Sequence, residues 1–325
     1  MLTFVVRRIL YSIPVLITTS FLIFTFVSIT GDPLGRVRAN PNITAEQLHS
    51  IEHSKNLDKP VIVRYGYWVH DAVTKQFGTT LFGNRPIWPE LRRAMGHTLQ
   101  YLLTAIILSV IVGVSIGVYS ALRQYSAFDY AATTATFVGF AIPTFWMALM
   151  LQVIVVQVFL KWHVRIFYTS GLSSSVNAGH GFHFLLDRAQ HLALPVIVVS
   201  TLSIANYSRF MRAAMLDVMN SDYVRTARAK GLGERRILWR HIFRNALIPL
   251  ITLLAIDFGT LFAGIISIEI VFTLDGMGFY LVNSLGASDP YPVMAWLMVV
   301  ATMVVTFNLL ADIMYGVVDP RIRYD

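Results

Sequence analysis

The sequence of 325 residues contains no cysteine, which excludes disulfide bonds, thiol nucleophiles and cysteine ligands for zinc or iron–sulfur clusters. Charged residues are also scarce, at 14% of the chain against about 25% in ordinary soluble proteins. The sequence has no GxxxxGK[S/T] phosphate loop, no GxSxG elbow and no HExxH motif. The chain therefore lacks the usual means of hydrolysing ATP, and we predict no catalytic residue, metal site or cofactor site in it.

Hydrophobic residues make up 55% of the chain, and they gather in six long runs. A helix of about 20 apolar residues crosses the hydrocarbon core of a bilayer, so each run is a predicted transmembrane helix. The first run follows Arg7 and Arg8 like a signal peptide, but it has no small-residue cleavage pattern and is expected to be retained. The sequence predicts an all-α integral membrane protein. The runs lie at about 9–29, 98–122, 131–160, 192–208 (the shortest), 246–268 and 293–317.

Basic residues predict the orientation of the chain. Six spans place both termini on one side of the membrane, and Arg7, Arg8, Arg321 and Arg323 indicate that this side is cytoplasmic. The segment 209–245 carries nine Lys or Arg and three acidic residues, and belongs on the same side by parity. The 273–292 segment has no Lys or Arg. The long 30–97 segment also has nine, but long loops are largely exempt from the rule.

The predicted organisation has four parts. The N-terminus and first span (1–29) precede a small extracytoplasmic domain (30–97), in which periodic apolar residues predict a short helix near 60–75. The transmembrane core (98–317) includes the cytoplasmic loop 209–245, and a cytoplasmic tail (318–325) follows. Pro143, inside the third run, is expected to kink that helix.

The cytoplasmic loop reads as two short helices around glycine. A cluster of capping residues at 219–222 precedes YVRTARAKG, which is expected to end at Gly231 with a positive φ. A second helix, Glu234 to about Asn245, is expected to run into the fifth span. Small side chains at Thr226, Ala227 and Ala229 suit a helix that lies in a groove on another protein. The basic composition alone favours contact with anionic lipid equally.

The string YVRTARAKGL (223–232) resembles the EAA motif of ABC importer permeases, in the version of the dipeptide/oligopeptide (peptide/nickel) family. Arg225 stands at the position of the usual Glu, as is normal in the peptide branch, Thr226 and Ala227 at the two alanines, and Gly231 at the motif glycine. The proline expected thirteen residues later is replaced by Arg244, which leaves the bend of the following helix open. Further segments resemble the B-type subunit of oligopeptide and dipeptide permeases over nearly the whole chain: FVVRRILYSIPVL, LDKPVIVRYGYWV, RNALIPL, IEIVFTLDGMG and DPRIRYD.

The resemblance implies a type I ABC importer permease fold and a non-catalytic subunit that forms half of a pathway for peptides. It implies a homologous second permease as heterodimer partner, two ATPase subunits or a fused or paired ATPase, and an extracytoplasmic substrate-binding protein. Membrane lipid is also a partner, nucleic acid is not, and the location is the bacterial inner membrane. The implied ATPase-coupling residues are Tyr223, Arg225, Thr226, Ala227, Arg228, Lys230, Gly231 and Leu232.

Other functions stay open at this point. Nickel or glutathione import through the same fold is one alternative, and a self-contained secondary transporter is another. The sequence shows neither the inverted repeats nor the several intramembrane ion-coupling residues expected of a secondary transporter. A membrane enzyme is disfavoured because no catalytic set is present.

Two acidic residues near the fifth span are candidates for the translocation path. Asp257 lies in the middle of the span, where an ionisable group costs about 2.5–3.5 kcal/mol and normally faces water or a partner. It would line the path or form an interhelical hydrogen bond. Glu269, near the outer end, is expected to be interfacial and to pair with the partner subunit.

The chain after Glu269 is expected to turn at 275–278 and to form a short re-entrant or interfacial helix over 279–286, as an outer gate or a simple connection. Four histidines, His49, His53, His180 and His183, lack a recognisable metal-ligand spacing and are read as ordinary polar residues.

Overall fold

A computed structural model describes residues 2–30, 32–38, 43–174, 181–264 and 266–318. The regular structure of these residues is helical, and one isolated bridge pairs Thr79 with Pro86. The helices are α1 Leu2–Thr30, α2 Gly35–Arg38, α3 Ala45–Ser54, α4 Val61–Thr74, α5 Ile87–Leu122, α6 Ala127–Ala141, α7 Thr144–Trp162, α8 Phe182–Met219, α9 Asp222–Ala229, α10 Glu234–Arg236, α11 Arg244–Gly264, α12 Ile266–Val271, α13 Met277–Gly286 and α14 Pro290–Val318, with a π-helical segment Ile237–Phe243 before α11. Arg321, Arg323 and His180 lie outside the described residues.

Among the described residues, six helical stretches are long and apolar enough to cross a membrane, which confirms the predicted number of spans. They are Val5–Thr30, Ile87–Leu122, Thr144–Trp162, Phe182–Met219, Glu234–Gly259 and Pro290–Met314. Helices α5 and α8 form the centre of the bundle, with α11 against both α8 and α14, and with α6 and α7 on the outside of α8.

The third span differs from the single kinked helix expected over 131–160. Helix α6 ends at Ala141 and α7 begins at Thr144, with Ile142 in an extended conformation (φ −80°, ψ 122°). Proline has no N–H to donate, and its ring disfavours the α conformation in the residue before it. Pro143 therefore separates two helices, and α7 alone is long enough to be a candidate span.

The fourth span was expected to be the shortest, at 192–208, and this was wrong. Helix α8 has 38 residues, about 57 Å of helix, so it extends beyond a hydrocarbon core of about 30 Å. Its polar side chains ended the apolar run early, but they have partners within the chain. Asp187 accepts hydrogen bonds from the backbone N–H (2.9 Å) and the hydroxyl (2.6 Å) of Ser174, and Arg212 pairs with Asp129 of α6 at 2.8 Å.

Two glycines allow α5 and α8 to pack closely. A Cβ at Gly113 would lie 3.1 Å from the Tyr207 Cβ, and one at Gly117 would lie 2.6 Å from the Ser208 carbonyl oxygen. The Gly-xxx-Gly pair in the sequence thus has the packing role expected of small residues between membrane helices.

The segment between the first two spans packs on the end of the bundle. Helix α4 confirms the helix expected near 60–75. Its Trp68 is buried with Phe24 of α1 and Met294 of α14, and the Tyr65 and Ser20 hydroxyls are hydrogen-bonded at 2.8 Å. This contact ties the segment to the first and last spans.

Candidate functional site

Helix α9 lies where the sequence predicted the first short helix of the cytoplasmic loop. Ser221 is its N-cap residue in an extended conformation, and Gly231 follows its last turn with φ +74°, as expected for that glycine. The Leu232 N–H donates to the Ala227 carbonyl at 3.3 Å, and the Gly231 N–H donates to the Arg228 carbonyl at 2.9 Å. These two bonds form a Schellman motif, in which a left-handed residue ends the helix and pairs its last carbonyls.

The inner face of α9 is apolar and packs on the subunit itself. Val224 and Ala227 are buried, and Leu232 packs partly buried beside them. Ala227 is 7% exposed, so the expectation that its small side chain lies against another protein is wrong. The small side chain of Ala227 lets α9 pack closely against its own bundle. The cluster that receives this face includes Met211, Met215, Ile237, Ile242, Ala246 and Leu250.

The outer face of α9 is exposed and basic, and we call it the α9 surface. The Arg228 Nε donates to the Glu234 Oε1 at 2.9 Å across the turn, and Arg225 lies 3.7 Å from Asp222. Exposed ion pairs of this kind contribute about 0–1 kcal/mol, so the charges do not explain how α9 is held. They are free to meet another molecule. The α9 surface consists of Tyr223, Arg225, Thr226, Arg228, Ala229 and Lys230.

The sequence left open how the helix after α9 bends, because Arg244 stands where a proline is expected. The chain runs without a break from Glu234 through a seven-residue π-helical segment into α11, and Pro249 lies inside α11. A short turn at 230–233 therefore joins α9 to a continuous helix that leads into the fifth span. π-helical turns are rare and are often found at functional sites.

Asp257 lies in α11, where its side chain is half-buried and faces Asn206 and Tyr207 of α8. Tyr207 is fully buried in the cluster under α9. The intramembrane carboxylate therefore lies close to the helix that leads into the α9 surface.

Glu269 does not lie at an interface, which corrects the position expected from the sequence. It is 1% exposed, inside the chain. Its Oε1 accepts hydrogen bonds from the Thr98 hydroxyl and the Tyr101 hydroxyl of α5, both at 2.6 Å. Its Oε2 accepts from the backbone N–H groups of Gly278 (2.7 Å) and Phe279 (3.1 Å) at the start of α13. A carboxylate at this place satisfies unpaired N–H groups and suits the helix dipole.

Gly276 has no room for a side chain, because a Cβ there would overlap the Glu269 carboxylate. The Met277 N–H donates to the Thr98 hydroxyl at 2.8 Å, and the Trp296 Nε1 donates to the Met277 carbonyl at 2.8 Å. Helix α13, which confirms the short helix expected near 279–286, is thus fixed to both α5 and α14. We call this set of contacts the Glu269 network.

Asp289 is a second buried carboxylate that the sequence reasoning missed. Its Oδ2 accepts from the Leu81 N–H at 2.6 Å, and its Oδ1 accepts from the Tyr291 N–H at 3.1 Å. Burial raises the pKa of this carboxyl group above its usual value, against the opposite effect of the backbone donors. The signal in the sequence was an Asp directly before Pro290, a pattern typical of a helix start. Asp289 joins the segment between the first two spans to the start of α14.

In the described part of the chain, no three His, Asp or Glu side chains form a group that could hold a metal ion. The His53 Nδ1 lies 3.2 Å from the Asp58 Oδ2 on the surface of the segment between the first two spans.

Comparison with known families decides the relationship of the chain. Residues 113–324 match the profile of the family described as "Binding-protein-dependent transport system inner membrane component", and residues 1–88 match its N-terminal companion. The chain belongs to this family. It is a multi-pass membrane permease. Helix α9, Asp257 and Glu269 all lie within the first of the two matched regions.

Curated relatives match over their full length. The chain is 36% identical to the oligopeptide transport system permease protein AppB of Bacillus subtilis, with 100% of each chain covered. It is 35% identical to the dipeptide transport system permease protein DppB of Alkalihalophilus pseudofirmus, again with 100% of each covered. It is 34% identical to DppB of Escherichia coli K12, over 100% of this chain and 99% of that one.

The fold is similar to that of a solved ABC importer. A chain of the MetNI methionine ABC transporter, in inward-facing conformations, superposes with a TM-score of 0.53 and 14% identity. The match covers 72% of this chain and 99% of the other. The chain therefore has the ABC importer permease fold.

Proposed function

We propose that the chain is one of two membrane subunits of an ATP-driven importer of short peptides. The observation that carries this proposal is its 34–36% identity, over full length, to permeases named for oligopeptide or dipeptide transport. The six spans supply half of a pathway, and a homologous second permease supplies the other half. A substrate-binding protein delivers the peptide from outside a bacterial inner membrane, whose cytoplasmic side holds both termini.

The α9 surface is the proposed docking site for an ATPase subunit, or for one half of a fused or paired ATPase. The chain has no phosphate loop, so the free energy of ATP hydrolysis has to reach it as motion. Val224 and Ala227 anchor α9 to its own bundle, and the outer face of α9 is exposed. A helix held in this way is suited to transmitting motion from an ATPase to the membrane spans. Movement of α9 passes directly into α8 and, through the π-helical segment, into α11.

Asp257 is the proposed polar contact of the path within the membrane. Glu269 acts on the same path from a distance, because it holds α13 at the outer end of the bundle. We expect Asp257→Asn to leave assembly with the ATPase intact and to change the rate of uptake or the stimulation of ATPase activity by substrate. Normal uptake by Asp257→Leu would show that the residue only joins helices.

The experiment that tests the proposed function is uptake by proteoliposomes. They contain this chain with its partner permease and ATPase subunits, the binding protein is supplied outside, and labelled tri-alanine is the probe. We expect uptake that requires ATP inside and the binding protein outside. Uptake without ATP would indicate a secondary transporter. Import of Ni²⁺ or glutathione in place of the peptide would support the proposed transport mechanism and contradict the proposed substrate.

A further inference from the structure

A cavity of about 760 Å³ opens on the extracytoplasmic end of the bundle. Its walls come from the extracytoplasmic segment, from the first turns of α5, and from one side of α13 with the residues just before and after it. The segment contributes Val37, Ile43 and residues within 80–85. Cavities of about 300–1,000 Å³ are typical of sites for small molecules. This one is separate from the α9 surface and from Asp257.

Five charged side chains line the cavity. Asp289 is buried and accepts backbone hydrogen bonds, and the other four are two of each sign. Arg85 and Arg93 are cationic, and Glu90 and Asp275 are anionic. All four are exposed, and within the described part of the chain none of them is joined to an opposite charge by an ion pair. Elsewhere in the extracytoplasmic segment, Arg38 pairs with Asp32 and Glu52, and Lys75 pairs with Asp71.

Hydrogen bonds fix the backbone around the cavity, whereas the four exposed charged side chains have no ion-pair partner in the described part of the chain. Asp289 holds the 81–82 wall, and the Glu269 network holds the start of α13. Tyr280 projects from α13 into the lining, and burial together with the negative charges of Glu90 and Asp289 raises the pKa of its hydroxyl. A preformed cavity with unpaired charges binds a matching ligand with little loss of conformational entropy.

We propose that this cavity binds a short zwitterionic peptide, with Arg85 and Arg93 at its carboxylate and Glu90 and Asp275 at its ammonium group. The proposal rests on the proposed function and adds a binding site on the permease itself, before the membrane path. A simple anion or cation would use charges of one sign only. A loop of the binding protein carries charges of both signs only on its side chains, and the test below treats that occupant as a separate outcome. Phe279 and Phe82 provide apolar lining for side chains of varied shape.

The test measures binding of three tri-alanine ligands to the purified full-length chain in nanodiscs, without the binding protein, by isothermal titration. One ligand is the free peptide, the second has an acetylated N-terminus and the third a C-terminal amide. Each blocked end removes one charge-assisted contact, so we expect each blocked ligand to bind roughly five- to tenfold more weakly than the free peptide.

Variants assign each end to its partner. The double variant Arg85→Gln with Arg93→Gln is expected to bind the free acid and the amide equally, and Glu90→Gln with Asp275→Asn to bind the free and acetylated peptides equally. Arg92→Gln and Glu46→Gln, exposed neighbours outside the cavity, are matched controls that keep both preferences.

Equal binding of all three ligands to the unmodified chain would overturn the proposal, and so would undetectable binding in a preparation that imports peptide. Loss of binding-protein association in the two double variants, without any peptide present, would show that a protein loop occupies the cavity. Absence of peptide import by the unmodified transporter is a different result, because it contradicts the proposed function itself.

Discussion

The loops on the two sides of α11 are held by opposite means. Before α11, α9 is held by an apolar inner face, with its charges outside and only surface ion pairs among them. After α11, the start of α13 is held by the buried carboxylate of Glu269 and its four hydrogen bonds. An apolar anchor fixes a helix while leaving its polar face available, whereas a buried polar network fixes a backbone and uses up the polar groups. The first suits a docking surface, and the second suits a rigid wall.

The largest effect is expected from Glu269→Ala. The substitution leaves the Thr98 and Tyr101 hydroxyls and two backbone N–H groups without their acceptor in a buried site. Unsatisfied buried groups cost about 1–3 kcal/mol each, so we expect a loss of about 3 kcal/mol or more. Thermal unfolding in detergent, followed by tryptophan fluorescence, measures it. Glu46→Ala, at an exposed site, is the control, and equal melting of the two variants would contradict the role of the network.

A smaller effect, of about 2 kcal/mol, is expected from Ala227→Trp. The indole has no space between α9 and the cluster beneath it, and overpacking of a filled core costs about 1–3 kcal/mol. Thr226→Trp, one position earlier and exposed, is expected to change stability by less than about 0.5 kcal/mol and to weaken ATPase association instead. Melting temperature and co-purification of the ATPase separate the two effects. Equal instability of both variants would show that α9 has no outward face.

Local features of the candidate site could be predicted from the sequence. The end of α9 at Gly231 and its positive φ follow from a few adjacent residues, because the Schellman motif is formed within them. The burial of Glu269 could not be predicted, since Thr98 and Tyr101 are 171 and 168 residues away along the chain. The direction of Ala227 depends likewise on where α8 and α11 pack.

The membrane spans likewise have some features that the sequence predicts and others that it does not. Their number follows from apolar runs, which reflect the thickness of a bilayer. The length of α8 does not, because Asp187 and Arg212 look unsuited to a membrane helix until their partners Ser174 and Asp129 are known.

The most local effect is expected from Gly231→Val, at the turn that ends α9. Valine at φ +74° costs roughly 1–3 kcal/mol in backbone strain, although a Cβ there would meet no atom within 4 Å. Gly233→Val is the matched control, because Gly233 has an ordinary φ of −64° and equally open surroundings. We expect only the first variant to lose ATPase co-purification, through a shift of α9. Indistinguishable co-purification by the two variants would contradict the need for a left-handed residue at 231.

The central claim, that the exposed face of α9 meets the ATPase, can be tested by site-directed cross-linking, since the chain has no cysteine of its own. A single cysteine at Thr226 is treated, in the assembled transporter, with a reagent that joins a thiol to nearby amines. A cysteine at Ser173, in the loop between α7 and α8, serves as the control on the opposite side of the membrane. The account predicts a product that contains the ATPase subunit from Thr226→Cys and none from Ser173→Cys. The reverse result, or labelling of Thr226→Cys by an impermeant thiol reagent from outside the cell, would contradict it.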